Sequence, residues 1–480
     1  MTEENVEKNN KKVLKSAVWY TISNFLLKSI SFITMPIFTR ILTHDEFGQF
    51  NNYTSWLQIM TIFVTLNVQS SLISAKYDFK EDIDKYTLSM FALSSISSVG
   101  WTVVLNLFSD FFTKFSNLEI YYINCMIIYL FFSSAFLLFQ TRSRFLFKYK
   151  TNVLLSVGNA VSTSLLAVVL VLIMQNKLKG RILGSIIPTI VIGLALIIYL
   201  IKKGKKINIS YWKYALKVCL PYIPHSLSLI LLASMDRIMI TKICGNEKTA
   251  LYSLAYNCGL IITLLVSSLN DAFAPWLGDR LNEKNFDVIR KISKKYILVF
   301  FILALGMMLV IPEVLWILGG KTYLEAKFVL APVALSCIYQ FLYTMFVNIE
   351  QFSKKTGSMA LASISAATLN YILNLIFINE FGYVAAAYTT VAGYIWLLAI
   401  HMIIVYKMGY SKVYDYRFII MTAILALLVT VLISFLYLNL ILRYIFIIVY
   451  LSVILFVIYK YKSQIIEITR IFKRNNGRVY

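Results

Sequence analysis

Long apolar stretches separated by short polar connectors make up most of the chain. Each stretch holds about 20 residues or more, the length that an α-helix needs to cross the hydrocarbon core of a membrane. The pattern predicts fourteen transmembrane helices, at residues 14–39, 49–74, 86–108, 118–140, 152–174, 182–201, 216–241, 250–274, 296–318, 328–349, 357–378, 383–406, 416–437 and 441–459. We therefore predict an all-α integral membrane protein whose helices form tight hairpins.

The composition supports a membrane protein and argues against other classes. The chain has 480 residues, of which 59% are hydrophobic and 14% are charged, whereas soluble domains are about 45–50% apolar and about 25% charged. The net charge is +23, but the basic residues form short clusters between apolar runs, as in loops at an anionic membrane surface. We expect no nucleic-acid partner. The five cysteines are scattered and have no metal-site or disulfide spacing.

The distribution of Lys and Arg predicts the orientation in the membrane. With the amino terminus in the cytoplasm, 34 of the 46 Lys and Arg residues fall in inner segments and 10 fall in outer segments. Cytoplasmic loops of membrane proteins carry an excess of basic residues. We therefore expect both termini to be cytoplasmic, which an even number of spans also requires.

A weak internal repeat runs through the first twelve predicted spans. With a shift of 202 positions, residues 39–41 fall on residues 241–243, and the register continues to Gln69 over Asp271. Because each copy holds six spans, both copies have the same orientation. They should therefore be related by a pseudo-two-fold axis along the membrane normal, with a cavity between them.

The repeat predicts three parts of the chain. Residues 1–205 form an N-terminal lobe of six helices, and residues 206–410 form a C-terminal lobe of six helices. Residues 411–480 add two peripheral helices and a basic cytoplasmic tail. Transporters built from two such lobes alternate access by rocking one lobe against the other.

Lys28 is the charged residue placed deepest in the first predicted span. Counted along a helix, it lies about 20 Å from Lys15 and about 18 Å from Arg40, too far for its side chain to reach either membrane surface. A lysine at that depth costs roughly 3 kcal/mol or more unless it meets water or a polar partner. The sequence therefore predicts a wet cavity with positive charge.

A polar stripe on the same helix supports this interpretation. Tyr20, Asn24, Lys28 and Ser31 are spaced by four, four and three residues, so they share one helical face. Such a stripe faces either water or another helix. The alternative is that Lys28 pairs with a buried carboxylate and only holds helices together.

The seventh predicted span contains the candidates for gating or ion coupling. Pro221 and Pro224 favour a bend, which serves either as a moving gate or as a fixed kink. His225 is a candidate for proton coupling or an ordinary hydrogen-bonding residue. Asp236 and Arg237 point about 100° apart, so they cannot simply pair; they either hold an outer gate or tie helices together.

Further candidates for substrate contact lie near the inner ends of several spans. The side chains of Asn67, Gln69 and Asp271 can bond sugar hydroxyls, but they also suit ordinary contacts between helices. Arg142 could bind a phosphate, although basic residues are common at inner helix ends. Glu350 is equally open to either interpretation.

The sequence contains no enzyme signature. It has no glycine-rich phosphate loop with a lysine, no HExxH motif and no cluster of Cys and His with metal-ligand spacing. We predict a protein that is not an enzyme and needs no cofactor, and ATP hydrolysis by this chain is not expected.

Two motifs carry a family resemblance: residues 34–43, 45–48 and Tyr53 at the first hairpin, and residues 235–240 and 251–256 around the seventh span. They resemble bacterial oligosaccharide flippases, the O-antigen and capsule repeat-unit translocases of the polysaccharide transport family. That family belongs to the multidrug/oligosaccharidyl-lipid/polysaccharide exporter (MOP) superfamily. One departure is that the first-half counterparts of Asp236 and Arg237 are uncharged.

The resemblance implies a substrate, a membrane and partners. The substrate would be a short glycan on undecaprenyl diphosphate, moved from the cytoplasmic to the outer leaflet of the bacterial cell membrane. An anionic diphosphate suits a cationic cavity around Lys28, and the lipid tail can stay in the bilayer. The driving force would be an ion gradient, the membrane potential or removal of product. A polysaccharide polymerase and the chain-length machinery are further partners of such flippases.

Three alternatives remain open from the sequence. A drug or small-molecule exporter of the same superfamily is the first, although a cation exporter would favour carboxylates over Lys28. A membrane polymerase is the second, but the outer connectors are too short for a catalytic loop. A lipid scramblase without glycan specificity is the third.

Overall fold

The computed structural model describes residues 3–146, 148–353 and 356–460, in which all regular secondary structure is helical. Fourteen long helices overlap the fourteen predicted spans. They are α1 Glu3–Ile41, α2 His44–Thr65, α3 Ile83–Leu107, α4 Ile120–Phe145, α5 Tyr149–Ile173, α6 Lys177–Gly204, α7 Ile223–Cys244, α8 Asn246–Asn282, α9 Phe286–Gly319, α10 Lys327–Phe352, α11 Thr356–Phe381, α12 Ala385–Val405, α13 Tyr416–Leu436 and α14 Leu440–Lys460. By length and composition, 10 of the described helices can each cross a membrane, and a bent pair that includes α7 makes 11.

The start of α2 is fixed by its own sequence. The Thr43 hydroxyl accepts a hydrogen bond from the backbone N–H of Glu46, and the Glu46 carboxylate accepts one from the backbone N–H of Thr43 at 2.9 Å. This reciprocal pair is a capping box, which satisfies two backbone donors at the helix start. The chain therefore turns sharply between α1 and α2, within the first motif of the sequence.

The end of α2 differs from the prediction. Leu66 and Asn67 both have a φ of 51°, a left-handed conformation that ends the helix. The predicted span 49–74 is therefore wrong at its C-terminal end. A 3₁₀ turn, Val68–Ser71, and a short helix, Leu72–Asp78, follow instead.

The proline-containing start of α7 is bent, as predicted. Helical segments Ser210–Tyr222 and Ser226–Cys244 meet at an angle of 50°. Pro221 and Pro224 lie at this bend, where each lacks the N–H that would continue the helical hydrogen bonds. The bend is confirmed, and its role as a moving gate stays a prediction.

The two halves of the chain repeat the same packing order. The pairs α1–α5, α2–α4, α3–α4, α4–α6 and α5–α6 are matched by α7–α11, α8–α10, α9–α10, α10–α12 and α11–α12. Helices α13 and α14 pack against α9, and α13 also packs against α10. They therefore extend the second half of the protein, while the lobe boundaries at residues 205 and 410 stay a prediction.

The halves meet through a small number of helices. Helix α2 packs against α7 and α8, and α1 packs against α9. Phe38, Leu42 and Phe47 of the first half belong to the same buried hydrophobic cluster as the core of the second half. All three lie at the end of α1 or the start of α2, so the halves are packed tightly at the predicted outer end.

Candidate functional site

A cavity of about 480 Å³ lies between α1 of the first half and α8 of the second. Its polar lining comes from Lys28, Ser29, Ser31 and Asn257, and the remaining lining residues are apolar. The Lys28 side chain is exposed in this cavity. Among the described residues, no carboxylate pairs with it. The cavity therefore presents one uncompensated cation, with hydroxyl and amide groups beside it.

The predicted outer end of this cavity is closed by bonds between α1 and α9. The Thr39 hydroxyl donates to the Leu318 carbonyl at 2.5 Å, and the Arg40 guanidinium donates to the Ile317 carbonyl at 3.1 Å. Both carbonyls belong to the last turn of α9, where no backbone N–H follows to satisfy them. Two side chains of the first half thus cap a helix of the second half.

A second set of contacts closes the same end beside α2 and α8. His44 Nε2 and the Thr322 hydroxyl lie 3.2 Å apart, and the Asn246 amide donates to the Asp45 carboxylate at 3.0 Å. Gly48 packs against the backbone of Asn246 so closely that a Cβ atom at this position would lie 1.8 Å from the Asn246 carbonyl oxygen. A glycine is therefore required for the observed closure.

The predicted carboxamide candidates lie at the predicted inner end of the interface between the halves. The Gln69 amide donates to the side-chain oxygen of Asn67 at 2.7 Å, and the Asn67 amide donates to the Ser226 hydroxyl of the second half at 3.3 Å. Asp271, the repeat counterpart of Gln69, is exposed on α8. It lies seven residues beyond Leu264 of the cavity lining, and therefore on nearly the same helical face.

Arg142 lies inside the first half rather than at the cavity. It is buried, forms an ion pair with Asp84 of α3, and donates to the Tyr199 hydroxyl of α6 at 3.3 Å. These bonds tie α3, α4 and α6 together. The structure thus gives Arg142 a partner within its own lobe and does not bring it to the cavity as a phosphate ligand.

Asp236 forms the centre of a buried polar cluster in the second half. Its carboxylate is 2% exposed and accepts hydrogen bonds from Tyr252 at 2.6 Å, Thr390 at 2.6 Å and Asn374 at 2.7 Å. The donors come from α8, α12 and α11, so the carboxylate joins four helices of one half. We call Asp236 and these three donors the Asp236 cluster.

Arg237 forms no direct ion pair with its neighbour Asp236. Its guanidinium lies over the Tyr256 ring, 4.8 Å from the centroid, and its Nε atom has no hydrogen-bond partner in the described structure. This agrees with the prediction that Asp236 and Arg237 do not pair directly. The Asp236 carboxyl group is therefore held by hydrogen bonds and not by a direct ion pair with a described residue.

Two features escaped the sequence analysis. The Asp236 cluster includes Asn374, which lies on one face of α11 with Asn370, four residues earlier; their amides are bonded at 3.2 Å. The four-residue spacing of Asn370 and Asn374 in the sequence could have indicated a polar face on this helix. The second feature is a pair between Glu350 and His401, 2.5 Å apart and both almost fully buried. The side chains of Asn24 and His225 lie outside the described residues.

Comparisons with known sequences agree with these observations. The family described as polysaccharide biosynthesis protein matches residues 13–281, which is more than half of the chain, and the MatE family matches residues 221–376. Lsg locus protein 1 of Haemophilus influenzae is 24% identical over 388 residues, covering 76% of this chain and 91% of that protein.

Two solved structures share the fold. The lipid II flippase MurJ in an inward closed conformation has a TM-score of 0.66 at 15% identity, covering 93% of this chain and 100% of that chain. An inward-facing multidrug resistance MATE family transporter of the MOP superfamily has a TM-score of 0.59 at 14% identity, covering 81% of this chain and 94% of that chain. Identities this low support the fold alone.

Proposed function

Because the chain belongs to the polysaccharide biosynthesis protein family and has the fold of MOP-superfamily membrane transporters, we propose that it flips undecaprenyl-diphosphate-linked oligosaccharides across the bacterial cell membrane. The substrate moves from the cytoplasmic to the outer leaflet through the cavity between the two halves. The observation that carries this proposal is the exposed Lys28 ammonium in the cavity, without an ion-pair partner among the described residues.

The chemistry of the cavity suits the head of such a lipid. A diphosphate is anionic, and a cation in the cavity lowers the cost of bringing it into the membrane. The amide of Asn257 offers a donor to sugar or phosphate oxygens, and the Ser31 hydroxyl, which donates to the Leu27 carbonyl, can accept a hydrogen bond from a sugar hydroxyl. The volume of about 480 Å³ lies within the usual range of small-molecule sites, which is enough for the diphosphate and the sugar next to it.

The walls of the cavity leave room for the lipid tail. Phe25 is 65% exposed and Ile33 is 68% exposed, and both line the cavity. Large apolar side chains with this exposure face hydrocarbon in a membrane, so the gap between α1 and α8 opens toward the bilayer. The polyprenyl chain can therefore stay among the lipids while the diphosphate enters beside Lys28.

Coupling to an ion gradient is assigned in this proposal to Asp236. A carboxylate buried at membrane depth is costly unless a proton or a bound cation neutralises it. The three donors of the Asp236 cluster come from three helices, so loss or gain of the neutralising ion changes how these helices hold together. The Asp236 cluster, which would bind the ion, lies within the second half, whereas the Lys28 cavity lies between the two halves.

The proposal is tested by changing the charge of Lys28. Lys28→Ala and the uncharged, similarly sized Lys28→Met should abolish surface glycan and cause lipid-linked repeat units to accumulate in the inner leaflet. Lys28→Arg should keep part of the activity, because it keeps the charge. Lys80→Ala, at an exposed lysine of a connector, is the matched control. Normal export by Lys28→Ala at normal protein level contradicts the proposed role.

The MatE match to residues 221–376 favours a second candidate function, export of small molecules. Deletion of the gene separates the two candidates. Accumulation of lipid-linked repeat units supports flipping, whereas drug sensitivity with normal surface glycan assigns the chain to small-molecule export. A general loss of lipid scrambling without a glycan defect identifies the protein as a lipid scramblase without glycan specificity.

A further inference from the structure

A second and larger cavity, of about 620 Å³, runs along the outside of the second half between α12 and α13. Its floor includes Tyr339 of α10. Its walls are mostly apolar and run from Ile395 on α12 to Lys407, two residues beyond the end of that helix, and from Tyr416 to Leu427 on α13. We call this cavity the α12–α13 groove. It shares none of its lining residues with the Lys28 cavity.

The length of the α12–α13 groove matches one leaflet of a bilayer. Lys407 and Ile395 are twelve residues apart on the α12 side, which corresponds to about 18 Å along a helix. Half of a hydrocarbon core of about 30 Å is roughly 15 Å. The groove therefore reaches from one membrane surface to near the midplane, which is the depth of a single phospholipid acyl chain.

The surface end of the groove carries positive charge. Lys407 lines the groove and is exposed. Arg417 is exposed on α13, three residues before Ile420 of the groove wall and therefore on the same helical face. Neither forms an ion pair with a described residue, whereas the neighbouring Asp415 pairs with Lys294 at 2.6 Å. Two free cations thus flank an apolar channel at the predicted inner surface.

Aromatic side chains complete the surface end. The rings of Tyr406 and Tyr416 meet edge to face with centroids 6.3 Å apart, and the Tyr416 hydroxyl donates to the Met402 carbonyl at 3.3 Å. This bond ties α13 to α12 across the end of the groove and holds it in shape. Tyrosines are enriched at the level of lipid headgroups.

We propose that the α12–α13 groove binds one anionic phospholipid of the inner leaflet, with an acyl chain in the groove and the phosphate between Lys407 and Arg417. The inner leaflet follows from the predicted orientation of the chain. Anionic lipids are attracted to basic residues at the cytoplasmic surface. The apolar walls of the groove replace the contacts that the acyl chain would make with other lipids. The site is independent of the translocated substrate.

Native mass spectrometry of the purified full-length protein tests this site. The probes are phosphatidylglycerol and phosphatidylcholine with identical acyl chains. Wild-type protein should retain one phosphatidylglycerol more tightly than phosphatidylcholine. K407Q/R417Q should weaken phosphatidylglycerol binding by about 25-fold, because each basic residue near an anionic lipid contributes roughly a factor of five. The control K412Q removes an exposed lysine of the same connector and should leave binding unchanged.

A groove-filling variant makes the test independent of charge. Ala399 is exposed on the α12 wall, and Ala399→Phe should reduce retention of both lipids while the protein elutes as wild type does in gel filtration. Equal retention of the two lipids by wild-type protein overturns the proposal, as does unchanged phosphatidylglycerol binding by K407Q/R417Q. Displacement of the bound lipid by undecaprenyl phosphate assigns the groove to the carrier lipid and also overturns it.

Discussion

Gly48 offers a direct test of how the two halves close. It lies near the start of α2, where the first half touches the start of α8. A Cβ atom there would lie 1.8 Å from the carbonyl oxygen of Asn246 and 2.5 Å from the carbonyl carbon. The obstructing atoms are backbone atoms, so they cannot rotate away. Gly48→Ala should therefore push the halves apart at the predicted outer end.

The size of the effect follows from the cost of overpacking. Forcing an extra methyl group into a tight contact costs about 1–3 kcal/mol, and each 1.4 kcal/mol is a factor of ten in a population ratio. The ratio of closed to open outer ends should fall by roughly 5- to 150-fold. Alanine is a better helix former than glycine, so α2 itself is not weakened by the change.

Cysteine labelling measures this shift. Ser31→Cys places a thiol in the lining of the Lys28 cavity, in a background without the five native cysteines. A membrane-impermeant maleimide added from the predicted outer side should react at least about fivefold faster in Gly48→Ala. Gly100→Ala is the matched control, because its added Cβ meets nothing within 4 Å. Unchanged labelling in Gly48→Ala, or an equal rise in Gly100→Ala, refutes the reasoning.

Three further predictions concern charged groups. Asp236→Asn should remove the response of flipping to an imposed proton or sodium gradient in proteoliposomes; a wild-type response contradicts the coupling role. Arg142→Ala should destabilise the protein by about 1–3 kcal/mol, since it strands Asp84, and should lower the melting temperature without changing flipping per folded molecule. The hydrogen bond from Lys248 lowers the pKa of Glu325, so that stabilisation is present at neutral pH and is lost as the pH falls below the ordinary range of a glutamate. Lys248→Ala should therefore lower the melting temperature slightly at pH 7 and by less as the pH falls into the acid range, and an equal effect at neutral and acid pH counts against this pair.

Much of the fold could be predicted because a membrane helix is recognisable in a sequence as a long, continuous run of apolar residues. The bend at α7 was also predictable, since Pro221 and Pro224 remove backbone donors. The break of α2 at Leu66 and Asn67 was not predicted, because neither residue is a glycine or a proline and the apolar sequence resumes after the mostly polar residues at 67–71. Asparagine adopts the left-handed conformation more readily than most residues, but leucine does not, so the tertiary structure imposes this turn at Leu66.

The residues of the candidate site could be predicted only where the evidence for them lies within a single helix. Lys28 stood out because its distance from both membrane surfaces can be counted along a single span. The donors to Asp236 could not be assigned, because Tyr252, Asn374 and Thr390 come from three other helices. Arg142 was undecided for the same reason, since its partner lies 58 residues earlier in the chain.

The caps that α1 places on α9 have a consequence for the resting state. Thr39 and Arg40 bond the carbonyls of Leu318 and Ile317, and these acceptors lose both donors when the halves separate at that end. Water must then replace the two side chains as hydrogen-bond donors to the end of α9. Separation of the halves at this end therefore requires water to enter at the same time. Without bound substrate, the protein should accordingly rest closed at the predicted outer end, because opening there requires water to reach both carbonyls.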